Sequence, residues 1–439
     1  MFTNPLELFN LRETPYFQEP LKGEKGRYPL SLFVGREKAV TNHLRHIAMK
    51  PGGSRQTIKG QPGVGKSTLA QYVKAWAAKE SNLLTVEDAV SLGGAADVDD
   101  VCTQILRTTF DAILLGAKSR GKSDLGSASV MQEAIQLVRV ARVSTGHGGG
   151  LNFAGFGVSA SSSDTLVTPS AAKPSLLVQS LLPRLMDIAR TEVGANGILL
   201  HLNNLENLTA NDAKRAASIL RDLRDPVLLS THYHWLVVGT EDAVNTVVDS
   251  VEQLQTHFNR PHALGPLTES EVTALLEKRY QELRADDTKP YRPPIEPDAV
   301  RTIYELHGGS LRSTFAALDA AATELLGTGA NGPTAPLTTT DVMPFLIQWT
   351  LTTATGHLSP SGTHQLLALA HAFSDAPFTR LDVQRRILET SNDNTGREYM
   401  EKLVRYGYVN ELAERRSIGR GRPAIQYTIA GPTRLLLQF

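Results

Sequence analysis

The spacing of apolar positions changes character several times along the chain, and each change predicts an element. Residues 1–32 hold several prolines and little helical periodicity, which predicts an extended lead-in with order beginning near Phe33. From Ser54 a short β-run, QTIK, leads into a glycine loop, after which Leu69, Tyr72, Val73 and Trp76 recur at helical spacing. A second strand is predicted over residues 83–90, and a helix over 98–115 with Val101, Ile105, Leu106 and Phe110 on one face. A helix near residues 131–143 then precedes GHGGGLNFAGFGVSASSSD. Its glycines, serines and partial alternation read as an inserted glycine-rich hairpin near residues 145–165, with a disordered linker as the alternative, because glycine-rich strands specify register weakly.

The α/β alternation resumes with a helix over 175–191 and an apolar strand, GILLHL, that runs into Asn203 and Asn204; a further helix and the strand HWLVVGT end at Thr240. Beyond Pro261 the strands stop. Helices over 269–285, 297–306 and 311–326 predict a separate helical lid, and the Gly/Pro/Thr stretch after residue 326 predicts a connector. The expected division is an α/β core over 33–265, a lid over 266–330, a connector over 331–356 and a third domain over 357–439. In the last, helices from His364, over 379–388 and over 395–406 lead to two β-runs, 408–412 and 425–429, on either side of ERRSIGRGRP.

Composition adds few constraints. A chain of 439 residues is long enough for about three domains, and 41% apolar with 21% charged residues is ordinary for a globular protein. Formal charge sums to zero, so any affinity for nucleic acid must come from a local basic patch. Cys102 is the sole cysteine. That excludes an intramolecular disulfide and a multi-cysteine zinc site, and it fits a cytoplasmic protein. The N-terminus lacks the basic and apolar regions of a secretory signal, and no stretch is apolar enough to predict a membrane span.

The chemistry concentrates in GQPGVGKS, residues 60–67. Gly60, Gly63 and Gly65 let the backbone wrap a phosphate and aim N–H groups at it from the start of the next helix. Gln61, Pro62 and Val64 complete the loop, and Thr68 continues it. Lys66 would neutralise the β- and γ-phosphates of ATP or ADP, and Ser67 would offer its hydroxyl to Mg²⁺. Hydrolysis also asks for an acid beyond a second apolar strand. There the sequence reads LLHLNNLE: Asn203 and Asn204 stand where carboxylates are expected, and an amide has neither their charge nor their basicity. Glu206 is the nearest remaining carboxylate. The balance favours a site that binds nucleotide and turns it over slowly.

The octapeptide FVGREKAV, residues 33–40, resembles the motif that precedes the phosphate loop in initiator-type, origin-recognition-like AAA+ ATPases and in STAND ATPases. The resemblance implies a P-loop parallel sheet with an α-helical lid. It also implies roles for single residues: Thr240 as sensor 1, Arg260 as a finger on a neighbouring subunit's nucleotide, Arg312 in GGSLRSTFAAL as sensor 2. Self-association follows from the finger. Two departures stand out, the asparagine pair and the long stretch between residues 93 and 175, and both argue against efficient turnover.

The C-terminal pattern resembles a winged helix. Arg397 and Lys402 fall on the recognition helix, and Arg415, Arg416, Arg420 and Arg422 crowd the wing, so duplex DNA is the expected partner. The RGRP tetrapeptide also resembles hooks that follow a narrow minor groove. Two alternatives remain open at this point: a non-hydrolysing nucleotide-sensing scaffold whose winged helix docks an effector or other partner protein, and a regulator of transposition or defence built on the same module.

Overall fold

The computed structural model describes residues 4–19, 21, 27–92, 97–122, 131, 173–203, 205, 210–259, 263–326, 335–412 and 424–438. The predicted hairpin near 145–165, and the helix at 131–143 apart from Met131, lie outside the described residues.

The α/β core begins with α1 (Glu37–Met49), β1 (Arg55–Gly60) and α2 (Lys66–Glu80). The second predicted strand is two short ones, β2 (Leu83–Leu84) and β3 (Val90–Ser91), which pair with the two ends of one neighbour. Between them the backbone leaves the sheet, held by the Lys74 ammonium, which donates to the carbonyls of Val86 and Glu87 at 2.7 and 3.0 Å. Then follow α3 (Val98–Ser119), entered through an Asp97–Asp100 capping box, α4 (Pro174–Thr191), β4 (Gly197–Asn203) and α5 (Ala210–Asp222). The core closes with β5 (Tyr233–Gly239), the single-turn helices α6 (Glu241–Val244) and α7 (Glu252–Gln255), and β6 (Ala263–Leu264).

All six strands are parallel, in the order β2-β4-β5-β1-β6 with β3 also on β4. Every residue of β5 is buried, as expected for a central strand covered on both faces. One face packs Ile58, Leu199, Leu236 and Val238 against Leu69 and Val73 of α2 and Val40 and Ile47 of α1. The other packs Leu200, Leu202, Trp235 and Val237 against α3, α4 and α5. This two-sided sandwich places the C-terminal ends of β1, β4 and β5 along one edge, where ligands bind in open parallel sheets.

The lid consists of α8 (Glu269–Glu282), α9 (Pro297–Leu306) and α10 (Leu311–Leu325). Its core corrects the expectation of an extended lead-in. Pro5–Phe9 form a 3₁₀ turn capped by the Asn4 side chain, and Phe9, Leu11, Tyr16, Phe17 and Tyr28 are buried among the lid helices. Prolines remove helical periodicity from this segment without removing its apolar surface. Each large side chain so buried contributes roughly 1.5–3 kcal/mol, and the contacts lie almost 300 residues away in sequence, where local patterning cannot register them. Hydrogen bonds seal the join: Arg12 N donates to the Leu283 carbonyl, and Ala285 N to that of Asn10.

Residues 339–356 of the expected connector belong to a long helix, α11 (Thr339–Phe373), interrupted at Ser359 where φ is +76°. Its first half buries Val342 and Leu346 in the lid core and Ala354 and Leu358 in the C-terminal core. Pro344 and a run of threonines disguise this helix in the sequence, although Thr338 and Asp341 form a capping box at its start. The C-terminal domain continues through β7 (Phe378–Thr379), α12 (Arg380–Arg386), α13 (Asp393–Arg405), β8 (Val409–Glu411), β9 (Gln426–Ile429) and α14 (Gly431–Leu435). Its antiparallel sheet, in the order β7-β9-β8, backs the three helices and makes a winged helix. The fold is therefore a P-loop α/β core with a helical lid and a C-terminal winged-helix domain.

Candidate nucleotide site

The loop between β1 and α2 has the shape its glycines allow. A Cβ on Gly60 would lie 2.5 Å from the Leu264 carbonyl oxygen, so only glycine lets β1 pass β6 at this point. Gly65, at φ +92°, is the left-handed residue that turns the chain into α2. Val64 is buried in the core beneath the loop, whereas Gln61 and Pro62 are exposed. Lys66 is the first residue of α2 and only 5% exposed; its Nζ donates to the Gln61 carbonyl at 2.9 Å, which folds the ammonium back over the loop. Ser67 and Thr68 follow in the first turn, where backbone N–H groups have no partner within the helix.

A phosphate fits this arrangement: two left-handed glycines, a helix N-terminus and a lysine are brought together in one loop. A Mg²⁺ ion would meet a weaker donor set. The hydroxyl of Ser67 and the side-chain oxygen of Asn203 are both neutral. Asn203 ends β4, paired with Ser91, and its Oδ1 is buried without a hydrogen-bond partner among the described residues. Asn204 and Glu206 lie outside the described residues.

Thr240 follows β5 directly, and its hydroxyl caps α6 by accepting from Ala243 N at 3.3 Å. Beside it is a group that sequence reasoning missed. Lys59, the residue before Gly60, lies 3.3 Å from the Glu241 carboxylate and donates to Asn245 Oδ1 at 3.2 Å, tying the end of β1 to the turn that starts at Thr240. Arg260 lies outside the described residues.

Among the described residues the lid meets the loop at Gly63. Gly63 has φ +82°, and a Cβ there would lie 2.3 Å from Ser310 Oγ and 3.5 Å from the Cβ of Arg312. Ser310 caps α10, and Arg312 is the second residue of that helix. Arg312 is thus next to the phosphate loop. Ser310 was unassigned, although a serine after two glycines and before an apolar helix is a readable N-cap signal. On the outer side, Phe33 stacks on Tyr72 with ring centroids 4.4 Å apart, and Arg36 donates to the Gly265 carbonyl. FVGRE thereby joins α2 to the entrance of the lid. A cavity of about 630 Å³ opens beside it, lined among others by Arg36, His43, Gln56, Leu69 and Glu271.

Behind the site, burial pushes the Lys74 amine down to about 7, partly offset by Glu87 and Asp88. His201 on β4 is held well below its ordinary value by burial first and by the Lys74 charge second. Both ring nitrogens of His201 lack hydrogen-bond partners among the described residues.

In the winged helix, Arg397 and Lys402 are exposed on α13, as is Arg405. The helix also exposes Asp393, Glu398 and Glu401, the last 3.8 Å from Arg397, so three cations stand against three carboxylates and cancel. The four wing arginines, Arg415, Arg416, Arg420 and Arg422, lie outside the described residues. Among the described residues no helix is long and apolar enough to cross a membrane.

No family model and no curated protein sequence matches the chain. Among solved structures it is similar to the Aeropyrum pernix ORC2 protein in ADPNP–ADP complexes, at 15% identity and a TM-score of 0.47, covering 97% of this chain and 96% of that one. It is also similar to the Aeropyrum pernix ORC1 protein in complex with DNA, at 12% identity and a TM-score of 0.42 over 92% and 93% of the two chains. A third is CDC6P from Pyrobaculum aerophilum, at 13% identity and a TM-score of 0.41 over 97% of each chain.

Proposed function

We propose that the chain is an initiator-type or STAND-like AAA+ switch: a cytoplasmic protein that binds ATP with Mg²⁺ at Gly60–Thr68, turns it over slowly and associates with itself under nucleotide control. The C-terminal winged helix binds duplex DNA. One observation carries the nucleotide reading, the apposition of the phosphate loop to the N-terminus of α10 at Gly63 and Ser310. A ligand in the loop is then contacted from both core and lid, so ATP and ADP can favour different lid positions.

In this reading the loop amides and Lys66 hold the phosphates, and Ser67 supports Mg²⁺. Thr240 senses the nucleotide from the end of β5, Arg312 from the lid, and Arg260 reaches a neighbour's site. Asn203 and Asn204 slow hydrolysis because neither accepts a proton, which leaves Glu206 as the nearest base. The exposed residues of α13 carry no net charge, so in this reading the charge for DNA comes mainly from the wing arginines.

The discriminating experiment measures ATP binding and steady-state phosphate release by the full chain and by Lys66→Ala, with and without duplex DNA. Tight binding lost in Lys66→Ala, with slow release, supports the switch. The second reading is a scaffold that never hydrolyses ATP and docks a partner protein; the unpartnered amide oxygen of Asn203 favours it. Turnover well above background that vanishes in Lys66→Ala removes the scaffold. For DNA, neutralising Arg415, Arg416, Arg420 and Arg422 together is expected to weaken duplex binding and flatten its salt dependence; unchanged salt slopes remove the wing from the interface.

A further inference from the structure

The lid turn from His307 to Ser310 is packed on two sides, and the two sides belong to different domains. Gly308 and Gly309 form its centre with φ of +60° and +79°. On the core side Ser310 touches the phosphate loop at Gly63, as described above. On the opposite side His307 packs on Gly431, the first residue of α14. A Cβ on Gly431 would lie 2.3 Å from His307 Nδ1 and 2.7 Å from its Cα, so backbone meets ring without clearance.

Two more contacts hold α14 to the turn. Leu435 is buried in the lid core, and Arg434, ion-paired to Asp375 at 2.9 Å, comes within 3.2 Å of where a Cβ on Gly308 would stand. At its other side α14 is tied to the winged helix: Thr433 donates its hydroxyl proton to the Tyr408 carbonyl at 2.6 Å, and Ala430 N donates to the same oxygen at 2.9 Å. Tyr408 stands between α13 and β8. The His307 ring is 8% exposed, and neither nitrogen has a hydrogen-bond partner among the described residues. Packing alone holds it.

We propose that the turn 307–310 transmits the state of the phosphate loop to the winged-helix domain, with the contact of His307 on Gly431 as the transmitting joint. The proposal rests on the reading that Gly60–Thr68 bind nucleotide. Only two residues separate the joint from Ser310, and close-packed groups shift together or not at all. A ligand that moves Ser310 therefore biases α14 and the wing sheet behind it. Linkage makes the effect mutual: whatever displaces α14 changes nucleotide affinity by the same factor.

Hydrogen–deuterium exchange of the full wild-type chain, with and without ATP and Mg²⁺, tests this without a substitution. The expected result is at least a threefold change in exchange across residues 430–436 when ATP is added, absent in Lys66→Ala. Protection of the phosphate loop by ATP with no change at 430–436 overturns the joint and leaves nucleotide binding intact. No protection at either place overturns the underlying reading instead. Gly431→Ala is expected to alter the affinity for a fluorescent ATP analogue at least threefold, and His307→Ala in the same chain to recover only part of the change, since it removes the 2.3 Å contact with the ring but leaves the 2.7 Å contact with the Cα. Should Gly431→Ala fail to fold, His307→Ala alone decides: affinity within twofold of wild type counts against the joint.

Discussion

The guanidinium of Arg279 lies 3.8 Å from the ring centroid of Phe17 and 4.3 Å from that of Phe315, so a cation from α8 is clasped between the N-terminal segment and α10. It also donates to the carbonyls of Pro15 and Phe17 at 2.8 and 3.0 Å. Burial pushes its pKa down to about 9, which leaves it charged at neutral pH. Arg279→Met keeps the apolar stem and removes the fork, stranding two buried carbonyls. The expected loss is about 2–4 kcal/mol of stability in urea unfolding, together with faster chymotryptic cleavage near Tyr16 and Phe17. Arg279→Lys recovers little, because an ammonium has no planar face to lie between the two rings. An unchanged cleavage rate in Arg279→Met would show that the N-terminal segment is held by apolar packing alone.

What was readable in the chain follows the range of the interactions concerned. The strand, loop and helix around Gly60–Ser67 declare themselves because the constraint is local: glycines at fixed offsets, then helical periodicity. The lid helices are visible for the same reason, with caps such as Thr268–Glu271 written beside them. The N-terminal segment and the first half of α11 were not readable, since their partners are distant. Leu11 bridges to Arg284, and Val342 enters a core built from Phe9 and Ile303. In the site, Lys66 and Arg312 announce themselves through motifs. Ser310 announces only an N-cap and Lys59 nothing, because their meeting with the loop and with α6 depends on where the lid and α6 come to rest.

Gly63 carries a prediction that separates backbone fit from charge. In Gly63→Ala the new Cβ takes on both a left-handed φ and a contact of 2.3 Å with Ser310 Oγ, which the lid relieves by moving away. ATP affinity is expected to fall at least tenfold, while urea stability falls by only about 1–2 kcal/mol. Ser310→Gly in the same chain removes the collision and is expected to restore part of the affinity. Equal affinity in all three proteins, measured by titration calorimetry, would mean that the lid does not bear on the bound nucleotide.

Three buried histidines predict the response to acid. Burial brings His234 and His307 down to about 4, with the Arg55 and His232 charges adding to the effect at His234. His201 is lowered well below 6.5 by burial and then by Lys74. With folded values below unfolded ones, the unfolded chain binds the extra protons, so stability is full above about pH 6.5 and is lost as pH falls towards 4. At pH 5.5 His234 and His307 each cost on the order of 1 kcal/mol. Lys74 works in a higher window: with a folded value of about 7 against 10.5, it adds stability as pH rises from 7 towards 10. Urea midpoints measured from pH 5 to 9 at constant ionic strength should therefore climb throughout, and His307→Gln should climb less between pH 5 and 6.5. A flat profile in that lower window would contradict the buried neutral histidines.

The end of β4 offers the sharpest distinction between a slow enzyme and a scaffold. Asn203 Oδ1 is buried with no partner among the described residues, at the strand end where a carboxylate would complete a Mg²⁺ site. Asn203→Asp places charge there at little change in volume. Without nucleotide, the uncompensated carboxylate is expected to cost about 1–3 kcal/mol in urea unfolding. With ATP and Mg²⁺ that cost should shrink, because the cation gives the carboxylate a partner, and phosphate release should rise at least tenfold. The same change at Asn204 tests the neighbouring position, and Asn203→Ala controls for loss of the amide. Turnover that rises in either aspartate variant but not in the alanine one means that chemistry was limited by charge at the end of β4. If neither aspartate variant exceeds wild type while both still bind ATP, the slow step lies elsewhere, and the asparagines belong to a site evolved to hold nucleotide rather than to cleave it.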